Sequence, residues 1–313
     1  MGHFAAVWDC RAAVEMTKDS HGIGIVILRN QQGASAKVSL HGGQVVSWKN
    51  EQGEELLFTS SKAIFKPPIA IRGGVPICFP QFGNIGSLER HGFARNKMWA
   101  IDDNPPPLHP SESVGKSFVD LMLRPSEDDL RRWPHSYEFR VRVSLTSNGN
   151  LILLSRICNV NCKPFTFTFA YHTYLSVSDI SEVRIEGLET LDFFDNLCER
   201  ERFTEQGDAL TFEAEVDRVY LSSPDIIAVI DHERKRTYVV KKEGLPDAVV
   251  WNPWEKKSKS IADLGDEEYK QMVCVNGAVI EKPITLKPRE QWTGRLELSV
   301  EPSSFCCEQY GFH

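Results

Sequence analysis

Short stretches of alternating apolar and polar residues recur along most of this 313-residue chain. In Tyr137–Leu145 and Phe165–Tyr171 apolar residues alternate with polar ones, which predicts strands with one buried and one solvated face. The runs Gly22–Leu28 and Ala36–Leu40 flank the turn signal at residues 30–33, so they predict a β-hairpin. Further strands are predicted at residues 44–48, 54–58, 118–123, 150–160, 183–188, 209–212, 218–221, 226–231, 237–241, 248–252 and 292–300.

Helical patterns are few, which decides the predicted fold class. Residues 126–133 predict one short helix, with Ser126 as its cap and three acidic residues in its first turn. Regular strands with little helix predict an all-β protein built as a large antiparallel sandwich. We expect one domain over residues 22–301, an N-terminal extension at 1–21 and a disordered tail at 302–313. The proline-rich stretch 102–115 is interpreted as a surface loop of that domain.

Composition narrows the classes of function. There are 36 basic and 43 acidic residues, giving a net charge of −7, which argues against nucleic-acid binding. No apolar run reaches the roughly 18 residues that a membrane span needs, and no secretory signal is visible, so we expect a cytoplasmic protein. The eight cysteines lack paired C-x-x-C spacing, which favours reduced, mostly buried thiols over disulfides or a zinc site.

The stretch Ile71–Arg95 has the composition of an anion pocket, because arginines and glycines lie among aromatic residues. Arg72 precedes Gly73–Gly74, where a guanidinium and free backbone N–H groups could bind one oxyanion together. Arg95 supplies a second guanidinium from the same stretch. The alternative is that each arginine pairs with a carboxylate at the edge of the core.

Three further residues are candidates for proton chemistry or sugar binding. His172 ends an apolar strand, and a histidine with its usual pKa of about 6.5 can give and take a proton near neutrality. His91 is a second candidate, and for both the alternative is a buried histidine with only a structural role. Asp217 interrupts a strand-like run and could accept hydrogen bonds from sugar hydroxyls, or could be a surface charge.

Six separated motifs occur in one order: IRGGVPICFPQFG, HGFARN, FAYHTYL, EVDRVYL, VVWNPW and EKPITLKP. Together they resemble the glucose-6-phosphate 1-epimerases, the hexose-phosphate branch of the aldose 1-epimerase (galactose mutarotase-like) superfamily, and especially its plant members. The resemblance runs from about Gly22 to Val300. It implies a β-supersandwich, a monomer or weak dimer, a sugar-phosphate substrate, and no metal or organic cofactor.

The resemblance also implies a mechanism, in which ring opening and reclosure exchange the α and β anomers. A base takes the proton of the C1 hydroxyl while an acid protonates the ring oxygen. The family's acid corresponds to His172, and His91 would hold or polarise the sugar hydroxyls. The phosphate-binding arginines correspond to Arg72 and Arg95, and the sugar-binding aspartate corresponds to Asp217.

Two departures from the family pattern bear on substrate binding and catalysis. Arg90 stands where the family commonly has glutamine, which adds positive charge beside the expected phosphate. The family's acidic base, in a C-V-E or C-V-D segment, is replaced here by Asn276. An amide cannot accept a proton as a carboxylate does, and loss of a general base typically costs about 10²–10⁴ in rate. Glu281 is the nearest carboxylate in the sequence.

A smaller departure is Arg289, which occupies a turn position where glycine is expected. A positive φ at that residue would strain the backbone.

Three functions therefore remain open. The first is a hexose-6-phosphate 1-epimerase that Asn276 slows. The second is a weak or inactive relative that binds sugar phosphates. The third is an epimerase of unphosphorylated aldoses, which Arg72 and Arg95 disfavour.

Overall fold

The first four strands form a sheet of their own at one end of the described chain. The computed structural model describes residues 13–106 and 116–302. The strands follow one another in the order β1 (Val14–Lys18), β2 (Gly24–Arg29), β3 (Ser35–Ser39) and β4 (Gln44–Lys49). The predicted hairpin is confirmed as β2 and β3, whose turn is closed by Asn30 Oδ1 accepting from the backbone N of Gln32 and Ala34.

Strand β1 lies inside the segment that we predicted as an N-terminal extension. It pairs with β2 along its whole length, so the sheet begins before Gly22. Four of its five residues are exposed, and the strand therefore carries no apolar alternation that a sequence pattern could reveal. Residues 1–12 and 303–313, which hold the rest of the predicted extension and nearly all of the predicted tail, lie outside the described residues.

A second sheet of eight strands carries the candidate site. Its strands run in the order β14, β13, β16, β19, β20, β10, β5, and β11 also pairs with β20. Their bounds are β5 (Ile77–Cys78), β10 (Phe165–Tyr171), β11 (Tyr174–Ser176), β13 (Asp192–Asp195), β14 (Glu201–Thr204), β16 (Val216–Tyr220), β19 (Asp247–Asn252) and β20 (Met272–Leu286).

A third sheet of nine strands packs against the second and closes the core. Its strands run in the order β15, β12, β17, β18, β21, β9, β8, β7, β6. Their bounds are β6 (Ala100–Ile101), β7 (Ser117–Leu123), β8 (Tyr137–Leu145), β9 (Leu151–Asn159), β12 (Val183–Glu186), β15 (Leu210–Thr211), β17 (Ile226–Asp231), β18 (Arg236–Glu243) and β21 (Gln291–Pro302).

Aromatic packing between these two sheets fixes the end of β10. The Phe169 ring lies 4.9 Å from Trp292 of β21 and 6.1 Å from Phe139 of β8. Tyr171 is fully buried, and its hydroxyl donates to Ser155 Oγ of β9 over 2.6 Å. Large buried aromatic side chains stabilise a core strongly, so the residue after Tyr171 is held rigidly. That residue is His172.

Helices are short, as expected. The predicted helix is confirmed as α1 (Glu127–Arg132), with a capping box formed by Ser126 and Asp129. The others are α2 (Trp254–Ser258) and 3₁₀ turns at Ala94–Asn96, Ile180–Glu182, Asn196–Cys198 and Glu268–Gln271. None of the helices in residues 13–106 and 116–302 is long and apolar enough to cross a bilayer. The antiparallel all-β prediction is thus confirmed.

Several local features differ from the predictions. Residues 54–58 make only isolated bridges, such as Leu57 with Leu175, and form no named strand. The longest strand, β20, was not predicted. Its first nine residues are all buried, so they show no alternation, and Gly277 and Pro283 are unusual inside a strand. Of the five described cysteines, all are free but only Cys78 and Cys274 are buried.

Candidate active site

His172 lies where β10 ends and is held from its backbone and its ring. Its backbone N donates to Pro76 O over 2.8 Å, which ties it to the stretch that begins at Ile71. The imidazole packs 4.8 Å from the Tyr174 ring and 5.8 Å from the Trp251 ring. Only 7% of the residue is exposed, and it lines a cavity of about 690 Å³.

Asn276 lies behind His172, on the inner side of the site. It is fully buried in β20, with an exposed fraction of 0%. Its Nδ2 lies 3.1 Å from His172 Nδ1, and its Oδ1 accepts from the backbone N of Thr173 over 2.7 Å. The side chain therefore contacts the imidazole and does not line the cavity. Glu281 is not a lining residue either, and its backbone N is bound to Asp247 Oδ2.

His91 faces the same cavity as His172, and their ring centroids are 5.5 Å apart. Its Nδ1 accepts from the backbone N of Gly83, while its own N donates to Gly83 O. These two bonds hold His91 in a left-handed conformation, with φ of 67°. Arg90 Nε lies 3.3 Å from His91 Nε2, so a positive charge lies directly beside this ring.

Arg72 is paired with a carboxylate, which is the alternative stated for it above. Its Nε and Nη2 donate to Asp263 Oδ1 over 3.1 and 3.0 Å, and its Nη1 donates to the Tyr174 hydroxyl over 3.1 Å. It nevertheless lines the cavity, with about a quarter of its side chain exposed. The guanidinium is held in one orientation at the cavity wall, and part of its charge is already neutralised.

The two glycines after Arg72 do not form the anion-binding loop that we predicted. Gly74 N donates to Phe58 O, and both glycines are buried. A Cβ on Gly74 would lie 2.1 Å from Val45 O, and one on Gly73 would lie 2.3 Å from Thr59 Cα. Glycine is required there because the chain passes against β4 and its neighbour with no room for a side chain.

Arg90 and Arg95 are two neighbouring cationic side chains of the cavity wall. Neither makes an ion pair with any carboxylate in the described part of the chain, whereas Arg95 Nη2 donates to Arg90 O over 2.8 Å. Arg95 Nε is buried without a partner. A buried Nε–H without a partner is costly unless an acceptor on a ligand binds it, so Arg95, with the exposed Arg90 beside it, is the strongest anion-binding feature of the site.

Asp217 reaches the cavity from β16 on the same sheet as His172. Its Oδ1 accepts from Asn196 Nδ2 over 2.7 Å. Burial raises the pKa of Asp217, although Asn196 and Arg90 oppose that shift. Glu215 lines the same wall, and burial raises the pKa of its carboxyl too. The cavity therefore has a carboxylate side as well as a cationic side.

The balance of charge in this cavity is positive. Five cationic side chains line it (Arg72, Arg90, Arg95, Arg200 and Lys257) against two carboxylates (Glu215 and Asp217). Burial and the neighbouring arginines hold the pKa of both His172 and His91 well below the ordinary value, so both rings are neutral at pH 7. A smaller cavity of about 240 Å³ adjoins it, sharing Arg72 and Arg95.

All the site residues predicted from the sequence except Asn276 line this one cavity. Several others were not predicted. Tyr174 and Glu215 lie within motifs already noted, but Asn196 and Asp263 carry no local signal, because each depends on contacts that only the fold creates. Arg200 lies 4.9 Å from the centre of the Phe194 ring, a contact between residues six apart that no motif marks.

Comparison with known proteins shows the family to which this chain belongs. Residues 24–299 match the family described as Aldose 1-epimerase. The chain is 63% identical over 297 residues to a "Putative glucose-6-phosphate 1-epimerase" of Cenchrus ciliaris, covering 94% of this chain and 90% of that one. It is 32% identical over 266 residues to a protein of the same name from Escherichia coli K12, covering 82% and 83% of the two chains.

The fold is also found among solved structures. The crystal structure of a "putative mutarotase (YeaD)" from Salmonella typhimurium superposes with a TM-score of 0.83 and 26% sequence identity, covering 95% of this chain and 96% of that one. The antiparallel β-supersandwich and the family match together define a sugar epimerase of the mutarotase class. This chain belongs to the aldose 1-epimerase family and is an isomerase.

Proposed function

We propose that this enzyme interconverts the α and β anomers of a hexose 6-phosphate, with glucose 6-phosphate as the first substrate to test. The relatives' names favour that substrate. The observation that carries the proposal is the placement of Arg90 and Arg95, which have no carboxylate partner in the described chain, in the same cavity as His172. A neutral aldose would leave this charge without a counterion.

The residues divide the work by their position in the cavity. Arg95 and Arg72 bind the phosphate, and Arg90 adds charge beside it. His91 and Asp217 hold sugar hydroxyls. His172 donates to the ring oxygen, so the bond between C1 and that oxygen breaks as the C1 hydroxyl loses its proton. Rotation about the C1–C2 bond and the reverse proton transfers close the ring as the other anomer.

Asn276 cannot accept the C1 proton, so we assign that role to a carboxylate that lines the cavity. Asp217 and Glu215 are the two that line the cavity. Burial raises the pKa of each, which improves a carboxylate as a general base near neutrality. We assign the proton to Asp217, and Asp217→Asn should lower kcat by about 10²–10⁴. A rise in KM with unchanged kcat would restrict Asp217 to binding.

A bound phosphate group also raises the pKa of His172, the residue that donates a proton to the ring oxygen. Arg72, Arg95 and Arg90 lower the pKa of this imidazole through their positive charge, after burial. A phosphate dianion on those guanidinium groups offsets their charge, and the pKa of His172 then rises towards neutrality. Phosphorylated sugars would therefore gain in proton transfer as well as in affinity.

Exchange NMR between the anomers tests the function directly. The enzyme should accelerate anomer exchange of glucose 6-phosphate roughly 10- to 100-fold more than that of glucose at equal concentrations, because hydrogen bonds to charged groups contribute about 1.5–3 kcal/mol. His172→Gln is the inactive comparison, and Arg131→Ala on the exposed surface of α1 is the matched control. Equal or absent acceleration for the phosphate ester would refute the assignment.

Asn276 favours a second candidate, a sugar-phosphate-binding protein with little turnover. The same spectra separate the two functions when they are combined with calorimetry. Tight binding of glucose 6-phosphate without faster exchange would select the binding protein.

A further inference from the structure

The amide of Asn276 has a fixed orientation, which determines what it offers to His172. The backbone N of Thr173 can only donate, and it lies 2.7 Å from one terminal atom of the Asn276 side chain. That atom must therefore be the oxygen. The amide nitrogen is then the atom that lies 3.1 Å from His172 Nδ1.

An amide nitrogen donates and cannot accept, so His172 Nδ1 must be the acceptor in this pair. A proton on Nδ1 would put two donors face to face in a fully buried position. Water does not relieve such a clash here, since Asn276 has no exposed surface. The proton of the neutral imidazole is consequently confined to Nε2.

The surroundings of the ring keep it neutral when no ligand is bound. The charged groups that act on His172 are Arg72, Arg90 and Arg95, and His91 lies 5.5 Å away. Asn276, unlike a carboxylate, adds no negative charge to offset them. The charge distribution therefore disfavours the imidazolium, and the hydrogen bond with Asn276 disfavours the neutral tautomer that carries its proton on Nδ1.

We propose that Asn276 is a positioning residue that holds His172 in the neutral tautomer protonated on Nε2, and so presents an N–H donor to the ligand in the cavity. For the epimerase function proposed above, on which this role rests, that donor meets the ring oxygen of the sugar. A carboxylate at position 276 would have the opposite effect, because it would draw a proton to Nδ1. The amide therefore fixes the tautomer of His172, and its presence also means that no carboxylate base stands at position 276.

Long-range ¹H–¹⁵N NMR of the histidine rings tests the tautomer without any measurement of activity. The protein has nine histidines, and the signals of His172 are assigned by their loss in His172→Gln. At pH 7.5 and without ligand, the wild type should show a non-protonated Nδ1 and a protonated Nε2. A protonated Nδ1, in either the other tautomer or the imidazolium, would overturn the proposal.

Two variants at position 276 test whether the amide is the cause. In Asn276→Asp the Nδ1 signal of His172 should change to the protonated type. In Asn276→Ala the preference for the Nε2 tautomer should fall by roughly 2- to 10-fold, the range expected from losing one neutral hydrogen bond. The exposed His21 serves as the internal control. An unchanged His172 spectrum in folded Asn276→Asp would overturn the assignment of the cause.

The outcome is separable from that of the proposed function. If sugar phosphates do not exchange faster but the spectra are as expected, the epimerase assignment fails and the tautomer assignment stands. If exchange is fast but Nδ1 is protonated, the reverse holds.

Discussion

The amide nitrogen of Asn276 lies 3.1 Å from Nδ1 of His172, on the side of the imidazole away from the cavity. The residue at the family's base position thus contacts the proposed acid, and its effect on the reaction passes through that ring. The sequence comparison alone indicated a missing base, but this contact indicates that a carboxylate at position 276 would also stabilise the imidazolium.

Asn276→Asp is accordingly expected to raise turnover of glucose 6-phosphate. Aspartate has the shape of asparagine, so it can accept from both Thr173 N and a protonated His172 Nδ1. The resulting imidazolium is a stronger acid than the neutral ring, and kcat near pH 7 should rise by about 10²-fold or more, with little change in KM. Steady-state rates between pH 5 and 9 measure it. An unchanged kcat in a folded variant would show that this position does not limit the reaction.

Arg95→Ala should selectively weaken the reaction of phosphorylated sugars. Arg95 has no carboxylate partner in the described chain, so its removal leaves no carboxylate without an ion pair. Arg72→Ala, in contrast, would leave Asp263 unpaired. The value of kcat/KM for glucose 6-phosphate should fall roughly 10- to 100-fold, as expected for losing a charge-assisted hydrogen bond, while that for glucose changes little. Arg131→Ala controls for removal of a surface arginine. A parallel loss for both sugars would exclude a phosphate-specific role.

Much of this fold follows from local patterns. The strands β8 and β10 alternate in sequence because each has one face on the aromatic core, although part of the opposite face is buried as well. Helix α1 begins at Glu127 because the side chain of Ser126 caps it. Local patterns do not predict strand β20, because its first nine residues are all buried and show no alternation. Its internal glycine and proline are also untypical of a strand. Pairing with β10 and β19 within the second sheet, and not local propensity, makes it a strand.

Some residues of the candidate site can likewise be predicted from local motifs, and others cannot. His172, His91, Arg95 and Asp217 are found from motifs, and the structure brings them to one cavity. The partner of Arg72 cannot be found from a motif, because Asp263 is 191 residues away along the chain. Gly73 and Gly74 were predicted to bind an anion because they follow Arg72. The structure shows that glycine is needed there because a side chain would clash with the neighbouring backbone.

The buried neutral histidines make the protein less stable in mild acid. His172 and His91 have a lowered pKa in the folded state, whereas the unfolded chain binds a proton on each below about pH 6.5. The contribution of these histidines to the free energy of unfolding is therefore fully present above about pH 6.5. It falls as the pH drops below that value, by up to about 1.4 kcal/mol per pH unit for each histidine. Urea unfolding of His172→Gln should show a shallower fall from pH 6.5 to 5 than the wild type. The exposed His21→Gln is the control, and parallel slopes for wild type and His172→Gln would contradict the account.

Arg289 has the positive φ that the turn sequence suggested, with a value of 67°. Its backbone N donates to Asn159 O, which holds the residue in this strained conformation. Arg289→Gly should stabilise the protein by about 1 kcal/mol, because a left-handed conformation costs an L-residue roughly 1–2 kcal/mol and glycine offsets part of that gain through its entropy. Chemical denaturation measures the change. Arg289→Ala, which keeps the strain, should not stabilise, and equal stability of the two variants would show that the turn is unstrained.

The position of a bound sugar phosphate tests the central claim most directly. A crystal structure with glucose 6-phosphate should show the phosphate within hydrogen-bond distance of Arg95 and Arg72, and the ring oxygen of the sugar next to Nε2 of His172. A phosphate bound at Arg200 and Lys257 instead, or a sugar whose C1 end lies away from His172, would contradict it.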